Sequence, residues 1–306
     1  LSVKMTLIEA HNKFLRVKMI EGLAKSTISE YEKNFRYLMD YLGRDMDISE
    51  FDLDKVRDYI YFMIYERGLS NYTVNIRVRN IKAFLRFCYL EGIIESNINA
   101  RVKLMKTDID HIQPLTPQEY KELLELINNN RINFTRMRDN LIVYLLLDTM
   151  VRVSELVSIK VSDISIEEGT ITLRPKNTKT RKYRIVPFSE TSANLLVDFL
   201  KNRKFKESEY LLTNHIGEQM TADSIQYKFH HWAKILKFKG KRLSPHTVRH
   251  TGALYYILNG GDPFSLQRIL GHTSMEMVRR YVQMSDDKVK VHHNKFSPIN
   301  QIDNEK

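Results

Sequence analysis

Apolar residues recur at a helical period from Met5 to Glu95, and polar breaks divide the run into four segments. The first covers about residues 6–20. The second starts at Ser26 or Thr27, sets Ile28, Tyr31, Phe35, Leu38 and Leu42 on one face, and stops near Gly43. A third opens after Asp52 and closes before Gly68, and a fourth opens after Ser70 and turns Val74, Val78, Ile81, Phe84, Leu85 and Cys88 inward. No strand pattern interrupts this half, so an all-helical domain is expected over residues 1–106. Between 97 and 117 the periodicity fades and polar residues dominate, which reads as the passage between domains, with residues 107–116 as the linker. Thr116 is then placed to cap the helix that follows. Helices are expected at 117–128 and 138–149, the second nearly all apolar from Leu141 to Leu147 and so central to a second core. Two β-rich runs, 169–173 and 182–188, joined through Pro175-Lys176-Asn177-Thr178, predict a hairpin or small sheet. Helices resume near Thr191 and continue, broken at Gly217, Gly240 and Pro245, to about Gln283. The expected fold is mainly α with a small β-sheet: a helical domain, then a mixed α+β domain over 117–298 and a polar tail at 299–306.

Composition fits this picture and narrows it. At 306 residues, 42% hydrophobic and 28% charged, the chain has room for two packed, soluble domains. No apolar run reaches the roughly 18 residues a membrane helix needs, and the first ten residues lack a signal peptide's apolar centre, so residence in the cytoplasm away from membranes is expected. Cys88 is the only cysteine, which excludes an internal disulfide and a cysteine-rich zinc site. A net charge of +11 favours polyanions, and its placement sharpens the point. Residues 71–106 carry Arg77, Arg79, Lys82, Arg86, Arg101, Lys103 and Lys106 against Glu91 and Glu95, and residues 176–184 carry five basic side chains and no acid. Arg77, Arg79, Lys82 and Arg86 in the fourth helix, with Lys176 and Lys182 in the hairpin, are the candidate phosphate contacts.

Three clusters carry chemistry. Arg152 and Glu155 follow the apolar helix, where a guanidinium at the end of a buried segment needs an acid or an anionic ligand; taken alone they are an ordinary i,i+3 pair. Ser244-Pro245-His246-Thr247-Val248-Arg249-His250 opens a helix, with His246 and Arg249 on one face near its positive end, where a phosphate would fit. His246 and His250 have a zinc-binding spacing, but the glutamate that a metalloprotease places after the first histidine is missing. Last, Leu270-Gly271-His272-Thr273-Ser274 offers a tight turn, a histidine at its mouth and a serine able to cap a helix that carries Tyr281, nine residues after His272.

In this order and spacing the clusters resemble the tyrosine recombinase and phage integrase family, whose pattern is Arg, Lys, His-x-x-Arg, His, Tyr. Here these are Arg152, Lys179, His246, Arg249, His272 and Tyr281, and Leu-Gly-His-x-Ser with the tyrosine nine residues on is the specific part. Lys179 is assigned by register, eight residues before Pro187, with Lys176 and Lys182 as alternatives. Met150-Val151 replaces the usual Gly-Leu, and Val278 stands where threonine is frequent. The resemblance implies a DNA-clamping helical domain ahead of the catalytic one, of the two-domain Xer-like or transposon integrase type. It implies that Tyr281 attacks a DNA phosphodiester, forms a 3′-phosphotyrosyl bond, and exchanges strands through a Holliday junction. Arg152 and Arg249 would hold the non-bridging oxygens and Lys179 would protonate the leaving oxygen. His246 would accept the Tyr281 proton and His272 bond the phosphate, or the reverse; Glu155 would orient Arg152 and His246. No metal or cofactor enters. Expected partners are duplex DNA with inverted half-sites and a homo-tetramer, with residues 286–298 docking on a neighbour or forming a plain tail. The competing readings are a catalytically silent DNA-binding regulator of the same fold and a type IB topoisomerase-like enzyme.

Overall fold

Thr6 opens the first helix with a capping box: its side chain accepts from the Glu9 N–H, and the Glu9 carboxylate accepts from the Thr6 N–H. In the computed structural model, which describes residues 5–107, 113–175, 183–272 and 274–282, the chain divides into two units, Leu1–Asp110 and His111–Lys306.

The first unit is helical throughout its described residues. Helix α1 (Leu7–Ile20) is followed by α2 (Lys25–Leu42), which starts just ahead of the expected Ser26, with Ala24 at its N-cap and no side-chain cap. Asp52 caps α3 (Leu53–Tyr61), which runs on into a π-helical turn over Phe62–Glu66. Ser70 caps α4 (Asn71–Leu90), and the short α5 (Ile98–Arg101) packs back on it. Residues 98–105 pack within this unit: Val102 is buried, and Asn75 exchanges two hydrogen bonds of 2.9 Å with the Met105 backbone. Phe14, Phe84 and Phe87 fill the core beside His11, whose ring stacks on Phe35 at 3.7 Å, while Cys88 lies fully buried. Of the candidate phosphate contacts on α4, Arg79 and Arg86 are exposed. Arg77 lies 4.0 Å over the Tyr37 ring, and the Lys82 ammonium donates to the carbonyls of Asn99, at 2.8 Å, and Val102. That engagement holds α5 in place and leaves Lys82 less available to an outside anion.

In the second unit, Thr116 and Glu119 form another capping box with Pro117 at the first helical position, opening α6 (Pro117–Asn128). Helix α7 (Asn133–Asp148) is the central element and packs on α6, α9 (Glu190–Asn202) and α11 (Pro245–Leu258). Between α7 and α9 lie the short α8 (Val153–Leu156) and an antiparallel sheet in the order β1 (Ile164–Ser165), β2 (Thr170–Leu173), β3 (Arg184–Pro187). Ile171 pairs with Val186 and both are buried, whereas Leu173 pairs with Arg184 and sets that arginine at the sheet's inner end. Helices α10 (Ala222–Leu236), α12 (Pro263–Leu270) and α13 (Glu276–Val282) complete the unit. Residues 203–221, expected to continue as helix, are irregular. There the Arg203 guanidinium donates to the carbonyls of Tyr210 and Ser208, and isolated bridges pair Lys160 with Tyr210 and Thr213 with Gln219. Helix α11 lies so close to α7 that a Cβ on Gly252 would come 2.0 Å from the Leu147 carbonyl oxygen. Lys176, Lys179 and Lys182, and the segment from 283 on, lie outside the described residues. Among the described residues no helix is long and apolar enough to cross a membrane.

Candidate active site

Arg249 is the staple of the site. Its helix, α11, starts at Pro245 with the Ser244 hydroxyl accepting from the Thr247 N–H, which fixes the first turn. The Arg249 side chain is 5% exposed; it donates to the Met150 carbonyl and, at 3.0 Å, to the Leu270 carbonyl. One side chain thus ties the segment two residues before Arg152 to the segment two residues before His272. Burial first, and the Arg152 charge second, push its pKa down to about 9, which leaves it charged at neutral pH.

Arg152 occupies the N-cap position of α8, and Glu155, fully buried, answers it twice. Its carboxylate accepts from the Arg152 guanidinium at 3.0 Å and from the Arg152 N–H at 2.8 Å. Arg184 of β3 reaches the same carboxylate at 2.7 Å and the Leu270 carbonyl at 3.3 Å. Glu155 therefore orients two arginines. Met150, just upstream, has φ +52°, a left-handed conformation that explains why a glycine suits the position and that the Arg249 bond to its carbonyl helps to hold.

The turn after α12 sets His272. Gly271 has φ +65°, and a Cβ there would come 1.9 Å from Arg184 Nη1, so the glycine serves both the turn and the arginine packed against it. The His272 N–H donates to the Gln267 carbonyl at 3.1 Å, and the Gln267 amide returns a 3.2 Å bond to the His272 carbonyl. Burial, with the charges of Arg249, Arg152 and Arg184, pushes the His272 pKa down to about 4, so its ring is neutral at pH 7. Its Nδ1 is buried without a hydrogen-bond partner among the described residues.

Tyr281, half-buried on α13, meets the Nδ1 of His250, and the Nε2 of His250 lies 3.0 Å from Nε2 of His246. His246 sits on the open rim; partial desolvation, then the charges of Arg249, Arg152 and Arg242, hold it below its ordinary pKa. Arg152, Glu155, His246, Arg249, His272 and Tyr281 thus come together from four separate stretches of chain, whereas Lys179 lies outside the described residues. Sequence reasoning missed two neighbours. Arg184 was counted only as charge in a basic run, and His250 was weighed only as half of a zinc pair with His246. The i,i+4 spacing of the two histidines was the available signal for the second. Among the described residues no group of three or more His, Cys, Asp or Glu side chains is arranged to hold a metal ion.

Three guanidiniums around one buried carboxylate leave a positive excess that suits a phosphate, and a phenol stands beside it. The enzyme class with this fold and this set is the tyrosine-type site-specific DNA recombinase. Residues 113–288 match the phage integrase family and residues 6–104 match the phage integrase SAM-like domain. The chain belongs to the phage integrase family. It is 29% identical over 278 residues to the tyrosine recombinase XerC of Roseiflexus castenholzii, covering 89% of this chain and 87% of that one. The fold is similar to that of the Tn1549 transposon integrase in complex with a circular intermediate DNA, with TM-score 0.76, 22% identity, and coverage of 96% of this chain and 100% of that one. A lambda integrase tetramer bound to a Holliday junction gives TM-score 0.73 at 17% identity, covering 88% of this chain and 78% of that one.

Proposed function

We propose that Tyr281 is the nucleophile of this recombinase and that Arg152 and Arg249 bind the phosphate it attacks. The observation that carries the reading is the convergence of Arg152, Arg249 and Tyr281 on one partly buried, positively charged site. The Tyr281 oxygen forms a bond to phosphorus as the bond to the 5′-oxygen breaks, leaving the protein on the 3′-phosphate. Arginine forks match the charge that builds on the non-bridging oxygens, each contact contributing about 3 kcal/mol. His272, neutral at pH 7, donates a ring N–H to the same phosphate. Lys179 protonates the leaving 5′-oxygen. Attack by the 5′-hydroxyl of a second strand reverses the step, so phosphodiester energy is conserved and no cofactor is consumed.

The substrate is duplex DNA with inverted half-sites, contacted by the helical unit (1–106) and by the catalytic unit (117–298), joined by 107–116. Arg79 and Arg86 are exposed for backbone contacts, with Arg77 and Lys82 in secondary roles and Lys176 and Lys182, between β2 and β3 in sequence, as further contacts. Exchange proceeds in a homo-tetramer through a Holliday junction, in the cytoplasm. Relatives bound to a circular intermediate and to a Holliday junction support this assembly. Nicked duplexes from the flanks of the protein's own gene are expected to yield a covalent protein–DNA adduct on a denaturing gel, and Tyr281→Phe to yield none. An undiminished adduct with Tyr281→Phe would overturn the assignment.

A further inference from the structure

We propose that His250 is a catalytic residue: it takes the phenolic proton of Tyr281 at Nδ1, with His246 behind it as the group that sets its tautomer. This rests on Tyr281 being the nucleophile. The geometry is a chain of three groups, the Tyr281 hydroxyl on Nδ1 of His250 and Nε2 of His250 3.0 Å from Nε2 of His246. The two histidines sit four residues apart on α11, one turn along the same face, with ring centroids 4.4 Å apart and nearly perpendicular, an arrangement in which a ring N–H of one can point at the lone pair of the other.

Two neutral imidazoles meeting through their Nε2 atoms share one proton. If His250 carries it, His246 accepts, and the Nδ1 lone pair of His250 faces the Tyr281 hydroxyl and can receive its proton. His246 is suited to accept, because partial desolvation, then the charges of Arg249, Arg152 and Arg242, hold its pKa below the ordinary value and so favour the neutral ring. As the tyrosine oxygen bonds to phosphorus, its proton passes to Nδ1 of His250, and the departing 5′-oxygen takes a separate proton from the general acid. The imidazolium then holds both ring protons, with the Nε2 proton free to shift to His246 and on to water at the open rim. On resealing, Nδ1 returns a proton to the tyrosine oxygen as the phosphorus bond breaks. His246 acts through His250 and is a positioning residue.

A base that removes a proton in the transition state contributes on the order of 10²- to 10⁴-fold. His250→Gln is expected to slow adduct formation on nicked flank duplexes by about 10²-fold at neutral pH. The loss is expected to shrink at high pH, where ionisation of the phenol no longer needs a base. A ring-fluorinated tyrosine at position 281, ionising at lower pH, is expected to restore His250→Gln more than it speeds the parent protein. A loss indifferent to both pH and phenol acidity would assign His250 to structure alone, and no loss would remove it from the reaction; either overturns the proposal. If Tyr281→Phe still forms the adduct, the nucleophile assignment fails instead. Ring-nitrogen NMR on the DNA-free protein reads the tautomer directly: a proton on Nε2 of His250 is expected, and a proton on Nδ1 overturns the relay.

Discussion

Glu155 shows how much one buried side chain organises. It has no exposed surface and holds Arg152 and Arg184 by charge-assisted bonds of 3.0 and 2.7 Å. Removing it leaves two guanidiniums facing each other without their counter-charge, the situation in which breaking a buried pair costs about 3–5 kcal/mol. Glu155→Ala is therefore expected to lower stability by about that amount in urea unfolding, and to abolish cleavage even where the protein remains folded. In the sequence, Arg152 and Glu155 were visible as an i,i+3 pair, but Arg184 lies 29 residues beyond Glu155 and no local rule joins them. Met150 was visible as a departure from glycine; its positive φ, the physical reason for the glycine, needed the fold. Spacing and resemblance brought the candidate site residues into view, while the bonds from Arg184 to Glu155 and from Arg249 to the Met150 and Leu270 carbonyls are long-range and were not legible.

Among the elements, those whose ends are written locally were the readable ones. Thr6 with Glu9, Ser70, and Thr116 with Glu119 each cap a helix from within its own first turn, so those starts followed from sequence. The stretch 203–221 misled because its order comes from Arg203 on the carbonyls of Ser208 and Tyr210, from a bridge of Tyr210 to Lys160, and from the Gln219 amide on the Val157 carbonyl at 2.9 Å. Strand β1 has two residues, too few to show an alternation. The turn between α12 and α13 offers a test of coupling between elements. Gly271→Ala forces a side chain into a left-handed conformation, costing roughly 1–2 kcal/mol, and drives its Cβ against Arg184 Nη1. Cleavage is expected to fall further than that strain accounts for. In an Arg184→Ala background the same change is expected to cost only the strain, so a double-mutant cycle with adduct formation as readout should be non-additive.

At the scale of the whole molecule, the two units carry separate cores, and each hides a histidine that resists protonation. Burial pushes the His11 pKa down to about 4, and burial with neighbouring arginines does the same to His272. An unfolded chain binds those protons near pH 6.5 and the folded one only near 4, so the unfolded state holds more protons throughout that window. Stability is thus full above about 6.5 and falls as pH drops to 4, by up to roughly 3 kcal/mol for His11. His11→Phe, which keeps a ring stacked on Phe35, is expected to flatten this acid sensitivity in the first unit, read by hydrogen exchange of α1 and α4. The second unit is expected to keep its own. Cys88, fully buried with its thiol pushed up to about 12, adds something practical. As the sole sulfhydryl in the chain, it can react with an alkylating reagent only when the helical half opens. The protein thus carries a native clock for the breathing of one half, silent to whatever the other is doing.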